Sequence, residues 1–166
     1  MRGCAELLSE LNMCDEHWRI EAKETSRTLG KSASQTISAF SNEPGIEGGY
    51  LLLGVSRDPA SGSYRVTGVH DPDKLQREVA SLCASAFNRL LRPKVQVCMV
   101  DEKLVIVVYI PEEEPQNKPI YIKAQGLPRG AYRRIGSTAQ HCTDEDIRMF
   151  HTSAGRRTFD ESVIPG

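Results

Sequence analysis

The sequence predicts an α+β domain in which a mixed, mainly antiparallel sheet with hairpins packs against helices. Short runs of β-branched residues lie close together in pairs, as the strands of hairpins do. Helical patterns stand between these pairs, which is typical of α+β proteins rather than of parallel α/β folds. A chain of 166 residues is also long enough to bury one continuous core, so a single domain is expected.

The first part of the chain predicts a helix, a strand, a second helix and a central strand. Leucines recur at helical spacing in residues 5–11. Residues 18–23 alternate, which predicts a half-buried strand with Trp18 on its covered face. Residues 32–41 predict a helix that is rich in serine and depends on packing. The continuous apolar run 50–55 predicts a strand that is covered on both faces.

A hairpin and the clearest helix follow. Residues 64–69 are predicted to return beside the central strand after a turn that contains proline and glycine. Asp71 and Pro72 then form a helix start, because aspartate caps well and proline suits the first helical position. The predicted apolar stripe of this helix, which ends before Pro93, comprises Leu75, Val79, Leu82, Ala86 and Leu90.

The last third predicts two pairs of strands and a final helix. Residues 95–100 and 104–110 flank a tight turn and predict a hairpin. Residues 120–123 and 130–135 predict two short strands. Thr143 begins a helix with a Thr-x-x-Asp pattern typical of a capping box. We expect the domain to span residues 1–152, and residues 153–166 to be a disordered tail or the start of a linker.

Composition places the chain among ordinary globular proteins, with 39% hydrophobic and 26% charged residues. No apolar run approaches the ~20 residues that cross a bilayer, so a cytoplasmic protein without membrane contact is expected. The five cysteines form no CxxC pair and predict reduced thiols rather than a zinc site. A formal net charge of −1 means that nucleic-acid binding would require a local basic face.

Four short motifs follow one another along the chain: EHWRIEAKE at 16–24, ISAFSN at 37–42, GGYLLLGV at 48–55 and YRRIGST at 132–138. Together they resemble the AlbA-like domain of Schlafen proteins and of bacterial regulators related to RecG helicase, over about residues 7–150. The resemblance implies this α+β fold. It also implies a nucleic-acid-binding module, with DNA as the expected partner, in a transcriptional regulator or a helicase-related protein.

Carboxylates near the first motif predict a second, different function. Glu21 and Lys23 share one face of the predicted strand because side chains repeat every two residues. If Glu16, Glu21 and Asp58 converge, they could bind Mg²⁺ or Mn²⁺, and metal-held water could attack a phosphodiester. The resemblance to Schlafen nucleases implies comparable roles for these positions, with Lys23 beside the phosphate. The alternative, which we favour, is surface charges paired with neighbouring cations, with no enzyme activity and no cofactor.

Arginines in the fourth motif are the candidate phosphate contacts. Arg129, Arg133 and Arg134 stand beside Ser137 and Thr138, and arginine forks and hydroxyls both match phosphate oxygens. The alternative is a strand end in which Arg134 forms a salt bridge with a carboxylate.

The glycines and the remaining functional alternatives complete the predictions. The chain contains neither a P-loop nor a G-x-G-x-x-G motif, so nothing in it indicates ATP hydrolysis. The pair Gly48-Gly49 predicts a turn and a close helix–strand contact. An interaction or dimerisation module without a nucleic-acid role remains open, and so does a homodimer.

Overall fold

The computed structural model describes residues 1–14 and 17–162, and side chains as far as residue 155. Helices and strands alternate irregularly, and the sheets are mixed and mostly antiparallel, which confirms the predicted α+β class. The helices are α1 Cys4–Met13, α2 Ser32–Asn42, α3 Pro72–Ser85 and α4 Asp144–Ser162, with one 3-10 turn at Pro115–Asn117. The strands are β1 Ile20–Lys23, β2 Gly49–Leu53, β3 Val55–Arg57, β4 Tyr64–Val66, β5 Lys94–Val100, β6 Lys103–Ile110, β7 Tyr132–Ile135 and β8 Thr138–His141.

The main sheet has four strands in the order β1-β2-β6-β5. Strand β1 runs parallel to β2, and the other neighbours are antiparallel. One face of the sheet packs against α2 and α3, and the other packs against α1 and the β3–β4 hairpin. All five residues of β2 are buried, as predicted for a strand that is covered on both faces.

The hairpin predicted beside the central strand is built differently. Gly54 has φ +94°, a conformation that glycine adopts without strain, and it separates β2 from β3. Strand β4 pairs with β3 in a sheet of its own, and the amides of Thr67 and Gly68 donate to the Gly54 carbonyl. The predicted hairpin therefore forms, but residues 64–66 pair with residues 55–57 and not with β2, because the chain turns at Gly54.

Two expectations about apolar side chains also require correction. Trp18 is 41% exposed because β1 begins only at Ile20. Helix α3 ends at Ser85, so Leu90 lies beyond the helix and is 55% exposed. The buried stripe of α3 consists of Leu75, Val79 and Cys83, whereas Leu82 is only half-buried.

The two helix starts agree with the sequence. The Asp71 carboxylate accepts a hydrogen bond from the Lys74 amide at 3.1 Å. At α4 the Asp146 amide donates to the Thr143 hydroxyl, and the Thr143 amide donates to the Asp146 carboxylate. This reciprocal pair is the predicted capping box. Helix α4 continues to Ser162 through most of the segment for which we expected a tail, and residues 163–166 lie outside the described part.

The late strands differ from the prediction in their partners. Strand β7 pairs with β8, which the sequence did not predict as a strand. The predicted strand 120–123 contributes only two isolated bridges to the described structure, from Tyr121 to Ala131 and from Ile122 to Phe87. The predicted hairpin of residues 95–110 is confirmed as β5 and β6, with Val100 opposite Lys103.

Candidate functional site

The second motif connects α2 to two distant segments through buried polar side chains. The Asn42 amide nitrogen donates to the carbonyls of Ile120 at 2.9 Å and Tyr132 at 3.0 Å, and its oxygen accepts from the Ile120 amide at 2.6 Å. One turn earlier, the Ser38 hydroxyl donates to the Ile120 carbonyl and accepts from the Tyr132 amide. Both side chains are completely buried. These residues hold β7 in place, a role that the sequence did not reveal.

The third motif uses its glycines for close packing. A side chain at Gly49 would overlap the ring of Phe40 on α2. Gly48 has φ +98°, and a side chain there would meet the Ile110 carbonyl and the Tyr109 ring. The two glycines therefore let α2 and β6 approach the start of β2, which is the packing role predicted for them.

Arg134 joins the first motif to the fourth. Its side chain has 0% exposure, and its guanidinium carbon lies 5.0 Å from the centre of the Phe40 ring. The guanidinium donates to the Glu21 carboxylate at 2.9 Å. It also donates to three carbonyls of the segment that enters and begins β1, those of His17 at 2.8 Å, Trp18 at 3.0 Å and Ile20 at 3.3 Å.

This arrangement decides the two candidate roles of Arg134. Every guanidinium nitrogen donates within the protein, and the side chain is completely buried, so a phosphate in solvent cannot reach it. The prediction of a phosphate contact does not fit this burial. The salt bridge with a carboxylate, left open by the sequence, is what the structure contains.

The Glu21 carboxylate contacts a second cation besides Arg134. Its second oxygen lies 3.5 Å from the Lys23 ammonium, and that ammonium also donates to the Ser32 hydroxyl at 2.9 Å. Glu21 and Lys23 thus form an ion pair on the strand face where they were expected. Because Arg134 shares the same carboxylate, the charge of Glu21 is already balanced by two cations.

Arg133 is held by carboxylates from two helices. It donates two hydrogen bonds to Glu43, at 3.0 and 2.7 Å, and one to Asp146 at 2.9 Å. The hydrogen bonds to Glu43, and then those to Asp146, raise the pKa of Arg133 above its usual value. Its side chain is partly exposed, but its charge is neutralised within the protein. Arg133 therefore ties β7 to α2 and α4.

The two described carboxylates of the nuclease alternative, those of Glu21 and Asp58, each have partners within the protein. Asp58 lies in the turn between β3 and β4, where it accepts from the Ala60 amide and the Ser61 hydroxyl. These hydrogen bonds lower the pKa of Asp58 below its usual value. Glu16 lies outside the described residues. Within residues 1–14 and 17–155, no group of three metal-ligating side chains could hold an ion.

Cys83 and Cys142 are free thiols that are buried in the protein. Burial raises the pKa of Cys83 to about 11 and that of Cys142 to about 12. Both therefore remain protonated thiols at neutral pH, whereas nucleophilic cysteines require a lowered pKa. Cys98 is partly exposed.

The remaining predicted contacts lie on the surface. Arg129 is exposed, and no hydrogen bond or ion pair reaches its guanidinium from any described residue. Ser137 is exposed in the turn between β7 and β8, and Thr138 is exposed at the start of β8. Further exposed cations are Arg27, Lys31, Arg89, Arg92 and Lys94.

A polar cleft adjoins the β7–β8 turn. It has a volume of about 330 Å³, and Arg57, Tyr64 and Ser137 are among the residues that line it. Arg57 is exposed at the end of β3. The sequence did not single out this arginine, because only the folded chain brings the β3–β4 hairpin beside the β7–β8 turn. A cation and hydroxyl groups around one cleft are suited to a phosphate or another anion.

Known proteins resemble this chain in sequence and in fold. The family model described as Schlafen, AlbA_2 matches residues 16–143. The solution structure of the N-terminal domain of an ATP-dependent DNA helicase RecG-related protein from Nitrosomonas europaea is 52% identical, with a TM-score of 0.68. The match covers 86% of this chain and 95% of that one.

A second solved structure supports the fold alone. The DIP2311 protein from Corynebacterium diphtheriae is 14% identical with a TM-score of 0.54, and the match covers 89% of this chain and 27% of that one. No curated protein matches the chain. None of the described helices is long and apolar enough to span a bilayer.

Proposed function

Since the chain belongs to the Schlafen AlbA_2 family, we propose that it is a nucleic-acid-binding module, with DNA as its ligand. The observation that carries the proposal is its similarity to the N-terminal domain of a protein related to a DNA helicase. By this proposal the chain serves a transcriptional regulator or a helicase-related protein of the cytoplasm.

The proposed interface comprises Arg129, Ser137 and Thr138, with Arg57 across the adjoining cleft. These side chains are exposed, and they supply two guanidinium groups and two hydroxyl donors of the kind that contact phosphates. Arg133 and Arg134 act indirectly in this proposal, because they fix β7 against β1 and α2. They position the turn that carries Ser137 and leads to Thr138.

Salt dependence tests the interface. We expect labelled DNA to bind with an affinity that falls steeply as salt rises, because phosphate contacts release counterions. Arg129→Ala should weaken binding to DNA of any sequence and reduce the salt slope by about 1. Fluorescence anisotropy in a series of salt concentrations measures both quantities. Arg77→Ala, which removes an exposed arginine from α3, is the matched control.

Three outcomes would contradict parts of this proposal. An unchanged salt slope in Arg129→Ala and Arg57→Ala would move the interface elsewhere. Tighter binding to RNA than to DNA would change the ligand. No binding to either at low salt would favour the interaction module that the sequence left open.

The nuclease alternative is tested by incubating the chain with labelled DNA or RNA and Mg²⁺ or Mn²⁺. We expect the nucleic acid to remain uncleaved. The Glu21 carboxylate is paired with Arg134 and Lys23, and the Asp58 carboxylate accepts hydrogen bonds within its turn. Metal-dependent cleavage that is lost in Asp58→Asn would overturn this expectation. Asp58 suits the test because, unlike Glu21, it lies outside the Arg134 network.

A further inference from the structure

Strand β5 is an unprotected edge of the main sheet. Among the strands that the structure describes, the order β1-β2-β6-β5 gives β5 a neighbour on one side only. It has seven residues, no proline, and one charged residue, Lys94, at its start. The opposite edge, β1, has four residues, and its Ile20 carbonyl already accepts from Arg134. Natural edge strands are usually short, charged or interrupted, so β5 lacks the features that prevent pairing.

The outward-facing backbone groups of β5 follow from its hairpin. Val100 and Lys103 flank a two-residue turn, and such flanking residues exchange both of their hydrogen bonds. The pattern alternates along the strand, so Val95, Val97 and Met99 direct their N–H and C=O groups away from β6. The Leu104 carbonyl supports this assignment of outward-facing residues. Leu104 lies opposite Met99, and its carbonyl points away from β5 and accepts a hydrogen bond from the Val69 amide.

These outward groups have no partner among the described residues, since no hydrogen bond beyond the β6 ladder reaches the β5 backbone. The three side chains share one face of the sheet because residues alternate along a strand. Val97 is 36% exposed and Met99 is 68% exposed. The edge therefore offers hydrogen-bonding groups together with apolar side chains.

We propose that β5 pairs antiparallel with β5 of a second copy of this chain. Val97 lies opposite Val97 on the two-fold axis, and Val95 lies opposite Met99. In this register the six outward N–H and C=O groups of each strand are all satisfied by the other strand, which is an isologous interface. The two sheets become one continuous sheet.

Charge complementarity favours a second copy over an unrelated strand. The basic Lys94 begins β5, and the acidic turn Asp101–Glu102 follows its end. Antiparallel pairing brings Lys94 of each copy beside the acidic turn of the other. Parallel pairing would instead place like charges together. Lys94, Asp101 and Glu102 are all exposed, and no described ion pair includes any of them.

A charge exchange tests this register. Lys94 and Glu102 stand at opposite ends of β5, about 25 Å apart within one copy, so they can only interact between copies. Lys94→Glu and Glu102→Lys should each weaken dimerisation about tenfold, because each removes two ion pairs and introduces repulsion. The double variant keeps the net charge and should restore dimerisation. Sedimentation equilibrium in a series of protein concentrations measures the dissociation constants.

Val97→Lys provides a second test that does not depend on ion pairs. It places two lysines opposite each other on the axis, and we expect only single copies at all concentrations. Ala80→Lys adds the same charge on the exposed side of α3 and should dimerise as the unmodified chain does. Circular dichroism checks that each variant is folded.

Two results would overturn the proposal. One is an unmodified chain that stays a single copy up to the highest concentration. The other is a dimer that Val97→Lys and both single charge changes leave unaltered. Neither result bears on nucleic-acid binding, which is measured separately at Arg129 and Arg57.

Discussion

Arg134→Ala is expected to lower the free energy of unfolding by about 3–5 kcal/mol, the usual cost of removing one partner from a buried ion pair. The change would leave the Glu21 carboxylate with Lys23 alone. It would also leave the carbonyls of His17, Trp18 and Ile20 without the donor that they share. Urea unfolding followed by circular dichroism measures the loss.

Two variants serve as controls for Arg134→Ala. Arg134→Lys keeps the charge, but an ammonium cannot reproduce the fork that serves four acceptors, so an intermediate loss is expected. Arg129→Ala removes an exposed arginine and should change stability by less than about 0.5 kcal/mol. Normal stability of Arg134→Ala together with lost DNA binding would instead identify Arg134 as a phosphate contact.

Leu52→Ala is expected to lower the free energy of unfolding by about 2–5 kcal/mol, because it leaves a cavity in a close-packed core. Leu52 is completely buried in β2. It packs among side chains of α1, β4 and β6, including Leu7, Val66 and Val107. The same unfolding experiment measures the effect.

Leu82→Ala is the matched comparison. The sequence places Leu82 in the covered stripe of α3, but in the structure it is half-buried and lines an open groove between α2 and α3. Its truncation should cost only about 1 kcal/mol, since less apolar surface returns to water and no enclosed cavity remains. Equal losses at Leu52 and Leu82 would contradict this difference.

Local sequence patterns determined the helix caps and the hairpin, because these elements depend on interactions between residues close in sequence. The cap at Asp71, the capping box at Thr143 and Asp146, and the hairpin of residues 94–110 all depend on neighbours within a few residues. The buried run of β2 was also predictable, because a continuous apolar segment must be covered on both faces. The four motifs were sufficient to indicate the family. The match of the family model to residues 16–143 confirms it.

The sequence did not determine what the charged motifs do. Glu21 and Arg134 are separated by 113 positions, and no local pattern shows that they meet. Arginine and glutamate on strands have the same appearance whether they face solvent or each other. Tertiary packing decided this, because docking β7 against β1 removes Arg134 from water, and a buried guanidinium requires acceptors.

The candidate site follows the same division. Composition showed that phosphate binding needs a local basic face, and the fourth motif indicated its region. Only the folded chain buries Arg134, engages Arg133 with Glu43 and Asp146, leaves Arg129 exposed, and brings the β7–β8 turn beside Arg57. Residue types were thus set by the sequence, whereas their availability to a ligand was set by long-range contacts that satisfy buried charges first.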